Sequence, residues 1–252
     1  MRASGVVELP DLVGVGLVAI AAVNHELGTR AELPAITAAC RAAGALLHVD
    51  AVQAAGKLAL GELEADVLVV SAHKLGGPAG TGALAIMFDE ALPLIEAGHQ
   101  ERGRRPGTEN VLGIVGFGAV AATVDVAGWA TVAALGERLE VGLRALAGVR
   151  IHGEEVPRIG GTVNAGFAGA RGESLVVALD LEGIATSTGA ACTSGSVQPS
   201  PVLLGLGLTP EQAREAVRFS LGRSTTLAEI ERVLGCLQPV LARARAYSPR
   251  RP

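Results

Sequence analysis

The first candidate for chemistry is a lysine that stands between an apolar run and a glycine-rich turn. Lys74 follows the run that ends at Ser71 and precedes Gly76 and Gly77. A lysine held in this way is expected to be partly desolvated, which favours the neutral amine that attacks carbonyl groups. The alternative is an ordinary exposed loop lysine. The neighbouring His73 and the glycines favour the reactive amine.

A carboxylate ends a second apolar run. Asp50 lies in the segment His-Val-Asp-Ala-Val-Gln at residues 48–53. An acid at the end of a buried strand costs free energy unless it has a partner. One suitable partner is the protonated ring nitrogen of pyridoxal phosphate, which needs a carboxylate to remain an electron sink. Gln53 could reach the same ligand, whereas the alternative for Asp50 is capping of a helix N-terminus.

Two further segments carry cationic side chains that could bind anions. Arg104, Arg105 and Thr108 stand at a predicted helix start, where backbone N–H groups also attract anions. The alternative is a capped helix with solvated arginines. Arg218 is a charge within an apolar strand pattern and could bind a substrate carboxylate through two hydrogen bonds, or form a structural salt bridge.

One of the three cysteines lies in a segment of small and polar residues. Cys192 occurs within Ser-Thr-Gly-Ala-Ala-Cys-Thr-Ser-Gly-Ser at residues 187–196, where a thiolate is expected to be accessible and reactive. The alternative is an incidental loop cysteine. Cys40 and Cys236 lie in helical patterns and are predicted to pack. No cysteine or histidine spacing indicates a metal site, and a chain of this size needs no disulfide framework.

The composition excludes several classes of protein. The chain has 252 residues, 49% of them hydrophobic and 2% aromatic, with a net charge of −4. This composition does not favour nucleic acid as a partner. The longest early apolar run, residues 12–23, is too short to span a bilayer and resembles no signal peptide. The expected compartment is the cytoplasm, with no membrane association.

The periodicity predicts an α/β domain with a mainly parallel sheet over residues 1–127 and a small α+β domain over residues 128–252. Predicted strands cover residues 18–23, 45–49, 66–71, 83–88, 161–167 and 217–221. Predicted helices cover residues 32–43, 109–124, 131–146, 173–181 and 226–247. Asp50 and Lys74 follow two of these strands, so both are expected at the carboxyl edge of one sheet.

Taken together, the motifs resemble those of the cysteine desulfurases in the class V aminotransferase group. The shared motifs are His-Val-Asp-Ala-x-Gln, Ser-x-His-Lys, Arg-x-Gly-Thr, Gly-x-Ala-Cys-Thr-Ser and Val-Arg-Phe-Ser-Leu-Gly-Arg. The resemblance covers nearly the whole chain. It implies the type I pyridoxal-phosphate fold, a homodimer, and conversion of L-cysteine to L-alanine with sulfur passed to an acceptor protein, either an iron–sulfur scaffold or a thiolation enzyme.

The resemblance also assigns roles to individual residues. Lys74 would hold the cofactor and move a proton, and Cys192 would attack the substrate sulfur and become a persulfide. The remaining roles are Asp50 at the ring nitrogen, Gln53 at the phenolic oxygen, Ser71 and His73 at the phosphate, Thr108 at a phosphate across the dimer, and Arg218 at the substrate carboxylate.

Two departures from the family pattern stand out. The family has Asn-Asn-Glu where this chain has Asn24-His25-Glu26, so His25 would replace an amide that contacts both cofactor and substrate. The family's N-terminal phosphate-binding turn does not occur in this sequence, and a truncated chain is the expectation. The alternatives are another class V enzyme, such as a selenocysteine lyase or an aminotransferase, and an inactive fragment.

Overall fold

The computed structural model describes residues 5–61, 64–89, 93, 95–189 and 198–247. The chain forms two compact units. The N-terminal unit comprises Leu9–Val23 and Ala31–Val126. The C-terminal unit comprises Ala127–Pro252 together with Met1–Glu8 and Asn24–Arg30. The predicted domain boundary after residue 127 stays a prediction.

A four-stranded sheet forms the centre of the N-terminal unit. Its strands are β1 (Leu17–Ala21), β2 (Leu46–Asp50), β3 (Val67–Ser71) and β4 (Gly82–Ile86), in the order β1-β2-β3-β4. The first three strands are parallel, and β4 is antiparallel to β3. The predicted mainly parallel sheet is confirmed. The unit also contains the helices α1 (Leu33–Ala43) and α2 (Val111–Ala122).

Helix α1 connects β1 to β2 and shows how local sequence sets this crossover. Pro34 lies in the first turn, where its missing N–H group costs no hydrogen bond. Gly44 ends the helix in the left-handed conformation, with φ of 67°, and its N–H group bonds back to the last turn. Ile36 and Cys40 are buried on one face of the helix. The helix therefore begins and ends where the sequence predicts.

The C-terminal unit contains a three-stranded antiparallel sheet covered by helices. Its strands are β5 (Val149–Ile151), β6 (Thr162–Phe167) and β7 (Ala216–Ser220), in the order β5-β6-β7. Its helices are α3 (Trp129–Arg144), α4 (Gly172–Leu181), α5 (Pro201–Gly205), α6 (Pro210–Arg214) and α7 (Leu227–Tyr247). Helix α7 packs against α3 and α4. Phe167 and Leu237 are fully buried in the core between these elements.

Among the described helices, none combines the length and the apolar composition that a bilayer crossing requires.

Candidate functional site

The carboxyl edge of the parallel strands carries most of the predicted cofactor-binding residues. Asp50 is the last residue of β2, and it lies beside Val69 of the neighbouring β3. Strand β3 ends at Ser71 and leads directly into a 3₁₀ turn, Ala72–Leu75, that carries Lys74. Because β2 and β3 are parallel, Asp50 and Lys74 lie at the same edge of the sheet, the edge where ligands bind in such folds.

The carboxylate of Asp50 is exposed rather than buried. Its Oδ1 accepts a hydrogen bond from the backbone N–H group of Val52 at 2.9 Å. Asp50 therefore caps a turn that follows β2, and not the N-terminus of a helix as the alternative interpretation expected, because the described residues between Asp50 and β3 form no helix. This capping bond also fixes the side chain at the edge of the sheet, where the carboxylate remains accessible to a ligand.

The turn after β3 holds a hydroxyl and an imidazole close together, and it also carries Lys74. The Oγ atom of Ser71 lies 2.7 Å from Nδ1 of His73. The turn is closed by Gly76, which adopts φ of 91°, a conformation that favours glycine. The side chain of Lys74 is exposed. The expected partial burial of Lys74 is therefore wrong. The 3₁₀ turn that follows β3 carries the side chain into solvent.

Gln53 lies three residues after Asp50 and contacts a residue that the sequence interpretation missed. The Nζ atom of Lys57 donates a hydrogen bond to Oε1 of Gln53 at 3.1 Å. Burial, and secondarily the positive charge of Lys74, lower the pKa of Lys57 from its ordinary 10.5 to about 8. The spacing of four residues between Gln53 and Lys57 could have indicated this contact.

The predicted anion-binding segment of the N-terminal unit forms a loop before α2. Thr108 is exposed in this loop. Arg104 donates to the backbone oxygen of Asp89 at 3.4 Å, and Arg105 donates to that of Gly107 at 3.3 Å. Arg105 thus contacts the backbone of this loop, whereas Arg104 contacts a backbone oxygen 15 residues earlier in the chain. The phosphate-binding role of Thr108 stays a prediction.

The C-terminal unit brings together two residues that the sequence assigned to the substrate. Arg218 on β7 forms a pair of backbone hydrogen bonds with Ser187, and its Nη1 donates to the backbone oxygen of His25 at 3.1 Å. The Nε atom of Arg218 is buried and has no hydrogen-bond acceptor among the described residues. A buried guanidinium N–H group without an acceptor suits an anionic ligand. Cys192 lies outside the described residues.

A chain of buried polar side chains beside His25 is a second feature that the sequence interpretation missed. Glu26 is 3% exposed, and its Oε2 accepts a hydrogen bond from Oγ of Ser200 at 2.6 Å. The Nδ2 atom of Asn164 lies 3.5 Å from the backbone oxygen of Glu26. The Oδ1 atom of Asn164 in turn lies 2.8 Å from Nδ1 of His152. These groups fix the segment that carries His25.

His152 is expected to make the stability of the protein depend on pH. Burial lowers its pKa in the folded protein below the ordinary value of 6.5. As the pH falls through 6.5, the unfolded chain takes up a proton before the folded chain does. The contribution of His152 to the free energy of unfolding is therefore present above this pH and is lost as the pH falls through the lowered pKa.

Urea unfolding at pH 7 and pH 5 tests this expectation. The wild type should lose more unfolding free energy between the two pH values than His152→Gln, which keeps a polar side chain but does not titrate. Equal losses in both proteins would contradict the assignment.

Comparison with known proteins places these features in a family. The family profile described as aminotransferase class-V matches residues 12–233.

The chain belongs to the class V aminotransferase family.

Individual known proteins are similar to this chain over most of its length. The cysteine desulfurase of Klebsiella pneumoniae is 41% identical over 241 residues, which cover 93% of this chain and 61% of that protein. The structure of a NifS-like protein from Rickettsia africae ESF-5 superposes with a TM-score of 0.86 at 28% identity, covering 96% of this chain and 68% of that one. The structure of SspA in complex with cysteine gives a TM-score of 0.70 at 26% identity, covering 89% and 65%.

These similarities establish the fold of this family member. The predicted type I pyridoxal-phosphate fold is confirmed by the NifS-like structures. The chain spans about three fifths of the length of the curated relatives that it matches, 61% in the case of the Klebsiella pneumoniae protein.

The residues at the carboxyl edge of β2 and β3 could hold the family's cofactor. Pyridoxal phosphate carries a basic ring nitrogen, an aldehyde and a phosphate. Asp50 offers an accessible carboxylate, and Lys74 offers an accessible amine. Ser71 and His73 offer a hydroxyl and an imidazole within 2.7 Å of each other. The chemistry of this set of side chains fits the three groups of the cofactor.

Proposed function

We propose that the protein is a pyridoxal-phosphate-dependent cysteine desulfurase, which converts L-cysteine to L-alanine and passes the sulfur to an acceptor protein. The observation that carries this proposal is the placement of Asp50 and Lys74 at one carboxyl edge of the parallel sheet. The identity to curated cysteine desulfurases supports the choice of reaction. A homodimer in the cytoplasm, with an iron–sulfur scaffold or a thiolation enzyme as acceptor, completes the proposal.

In this function the N-terminal unit binds the cofactor. Lys74 attaches it through the amine, and Asp50 pairs with the ring nitrogen. Ser71 and His73 contact the phosphate, Gln53 contacts the phenolic oxygen, and Thr108 contributes to a phosphate site across the dimer. The bound cofactor supplies an electron sink for the carbon atoms of the substrate.

The substrate carboxylate is the group that Arg218 would bind. Its Nε lies buried without an acceptor among the described residues, and Nη1 is already oriented by the backbone oxygen of His25. A carboxylate accepts two parallel hydrogen bonds from a guanidinium group. The side chain of His25 is exposed and could add a further donor to the substrate or the cofactor. The structure of SspA with cysteine supports an amino acid ligand of this kind.

In the sulfur-transfer step, the proposed nucleophile is Cys192. Its thiolate attacks the sulfur of the substrate, so that a sulfur–sulfur bond forms while the bond between that sulfur and the β-carbon breaks. The carbon keeps the electron pair and gains a proton, which yields alanine. Lys74 would remove the α-proton and return protons to carbon. The persulfide on Cys192 is then available to the acceptor.

Loss of Lys74 is expected to abolish cofactor attachment. The chain contains only two lysines, Lys57 and Lys74, so the attachment site is unusually easy to assign. Wild type incubated with pyridoxal phosphate should show a visible absorbance band that survives dialysis, and Lys74→Ala should show none. Borohydride reduction of the wild type, followed by peptide mass spectrometry, should place the cofactor on Lys74.

Three results would contradict the proposal. The first is a wild type without a retained band. The second is a band that persists in Lys74→Ala, and the third is trapping of the cofactor on Lys57. The variant Lys74→Arg is the matched control because it keeps the positive charge while removing the primary amine.

A further inference from the structure

The second lysine of the chain lies at the cofactor edge of the sheet although the family resemblance assigns it no role. Lys57 is half-buried, and its Nζ donates to Oε1 of Gln53 at 3.1 Å. The chain has 21 basic residues of the lysine and arginine types, and only two are lysines. Burial and the charge of Lys74 lower the pKa of Lys57 to about 8. A charged lysine at this position therefore costs free energy, both through its desolvation and through its repulsion from Lys74.

The backbone after β2 fixes the geometry of this contact. Asp50 caps the turn through the N–H group of Val52. The N–H groups of Ala54 and Ala55 then bond to the backbone oxygen of Ala51, at 2.9 and 2.8 Å. The N–H group of Lys57 continues the turn with a bond to the oxygen of Ala54 at 3.0 Å. Helical turns of this kind place residues four apart on one face, so Gln53 and Lys57 meet directly.

The contact selects one orientation of an otherwise ambiguous side chain. A carboxamide presents an oxygen acceptor on one side and an NH2 donor on the other. A lysine ammonium group can only donate, so it pairs with the oxygen. The oxygen of Gln53 is therefore directed to Lys57, and the NH2 group is left to face away from it. A ligand that meets this NH2 group must offer an acceptor.

We propose that Lys57 is a positioning residue, which orients the carboxamide of Gln53 so that its NH2 group donates a hydrogen bond to the cofactor's phenolic oxygen. This inference rests on the proposed function, because the acceptor belongs to pyridoxal phosphate bound at Lys74. Without the cation, the carboxamide can rotate and present its oxygen to the phenolic oxygen, which repels it. Lys57 acts on the cofactor through Gln53.

Cofactor affinity and stability should respond to Lys57 in different ways. Lys57→Met keeps the length of the side chain but removes the donor, and we expect the dissociation constant for pyridoxal phosphate to rise about tenfold. We expect Lys57→Arg to restore most of the affinity, because it can donate to the same oxygen. The urea midpoint of Lys57→Met should not fall, because removing a partly desolvated charge offsets the lost hydrogen bond. A merely structural lysine would instead lower the midpoint when replaced.

A cofactor-free measurement separates failure of this inference from failure of the proposed function. The NH2 resonances of Gln53 in a ¹⁵N-labelled, cofactor-free sample can be assigned by their loss in Gln53→Glu. They should move in Lys57→Met and return toward the wild-type position in Lys57→Arg. Unchanged resonances in Lys57→Met would overturn the positioning role even if no cofactor bound.

The cofactor titration then decides the consequence of that orientation. The proposal is upheld if Lys57→Met loses affinity and if Gln53→Ala loses a similar factor, with no further loss in the double variant. It is overturned if Lys57→Met binds the cofactor as tightly as wild type, or if the two losses multiply. A wild type without a Lys74-dependent band would refute the proposed function, and with it the role toward the cofactor, while the resonances would still report whether Lys57 orients Gln53.

Discussion

Replacement of Cys192 by alanine is expected to reduce sulfide release from L-cysteine by about a thousandfold or more. Removing the nucleophile of a covalent mechanism typically costs at least this much. Retention of pyridoxal phosphate should be unchanged, because the cofactor contacts proposed for Asp50 and Lys74 do not involve the thiol. Sulfide and alanine formation in the presence of a reducing thiol, alongside the visible absorbance band, measure the two properties separately.

Cys236→Ala is the matched control for this experiment. Cys236 is half-buried on α7, where Sγ donates to the backbone oxygen of Val233 at 3.3 Å. Burial raises the pKa of its thiol, so it is a poor source of thiolate. Full desulfuration by Cys192→Ala would refute the proposed nucleophile. Amino-group transfer that survives in Cys192→Ala while the wild type releases no sulfide would favour the aminotransferase alternative.

The second large effect is expected at Arg218. Arg218→Met should lower kcat/KM for L-cysteine by about a hundredfold, mainly through KM, because two charge-assisted hydrogen bonds to the substrate carboxylate are lost. Arg218→Lys should recover little of this loss, since an ammonium group cannot supply the planar pair of donors. Steady-state kinetics with L-cysteine, together with urea unfolding of each variant, measure the effect.

The control for Arg218 is an arginine whose partner is known and exposed. Arg138 pairs with Glu231 at 2.8 Å on the surface of the C-terminal unit, and Arg138→Met should leave kcat/KM unchanged. The proposal for Arg218 would be wrong if Arg218→Met kept its KM while losing unfolding free energy. That result would favour a structural role for Arg218, which was the alternative that the sequence left open.

The sequence predicted the sheet of the N-terminal unit because its signals are local. Strand β2 is an apolar run that ends at a carboxylate, and α1 carries a proline in its first turn and a glycine at its end. Both features are set by backbone geometry within a few residues. The positions of Asp50 and Lys74 at one edge follow from parallel pairing alone. The observed strand and helix ends differ from the predicted ones by only one or two residues.

Other features could not be predicted because they depend on residues far apart in the chain. Glu26 and Ser200 form a buried hydrogen bond across 174 positions, and neither residue has a local motif that indicates it. The short helices α5 and α6 were missed because five residues are too few to show a helical period. The exposure of Lys74 was missed because the residue types around it do not show that the 3₁₀ turn after Ser71 directs its side chain to solvent.

The course of the chain between the two units has a consequence for synthesis on the ribosome. Asn24–Arg30 belongs to the C-terminal unit, although β1 and α1 on either side of it belong to the N-terminal unit. Leu27 in this segment is fully buried with Leu203 and Ala216. These partners emerge 176 and 189 residues later, and synthesis adds about 5–20 residues per second. During synthesis Leu27 therefore remains without its core partners for roughly ten seconds or more. The protein cannot fold strictly from one end to the other.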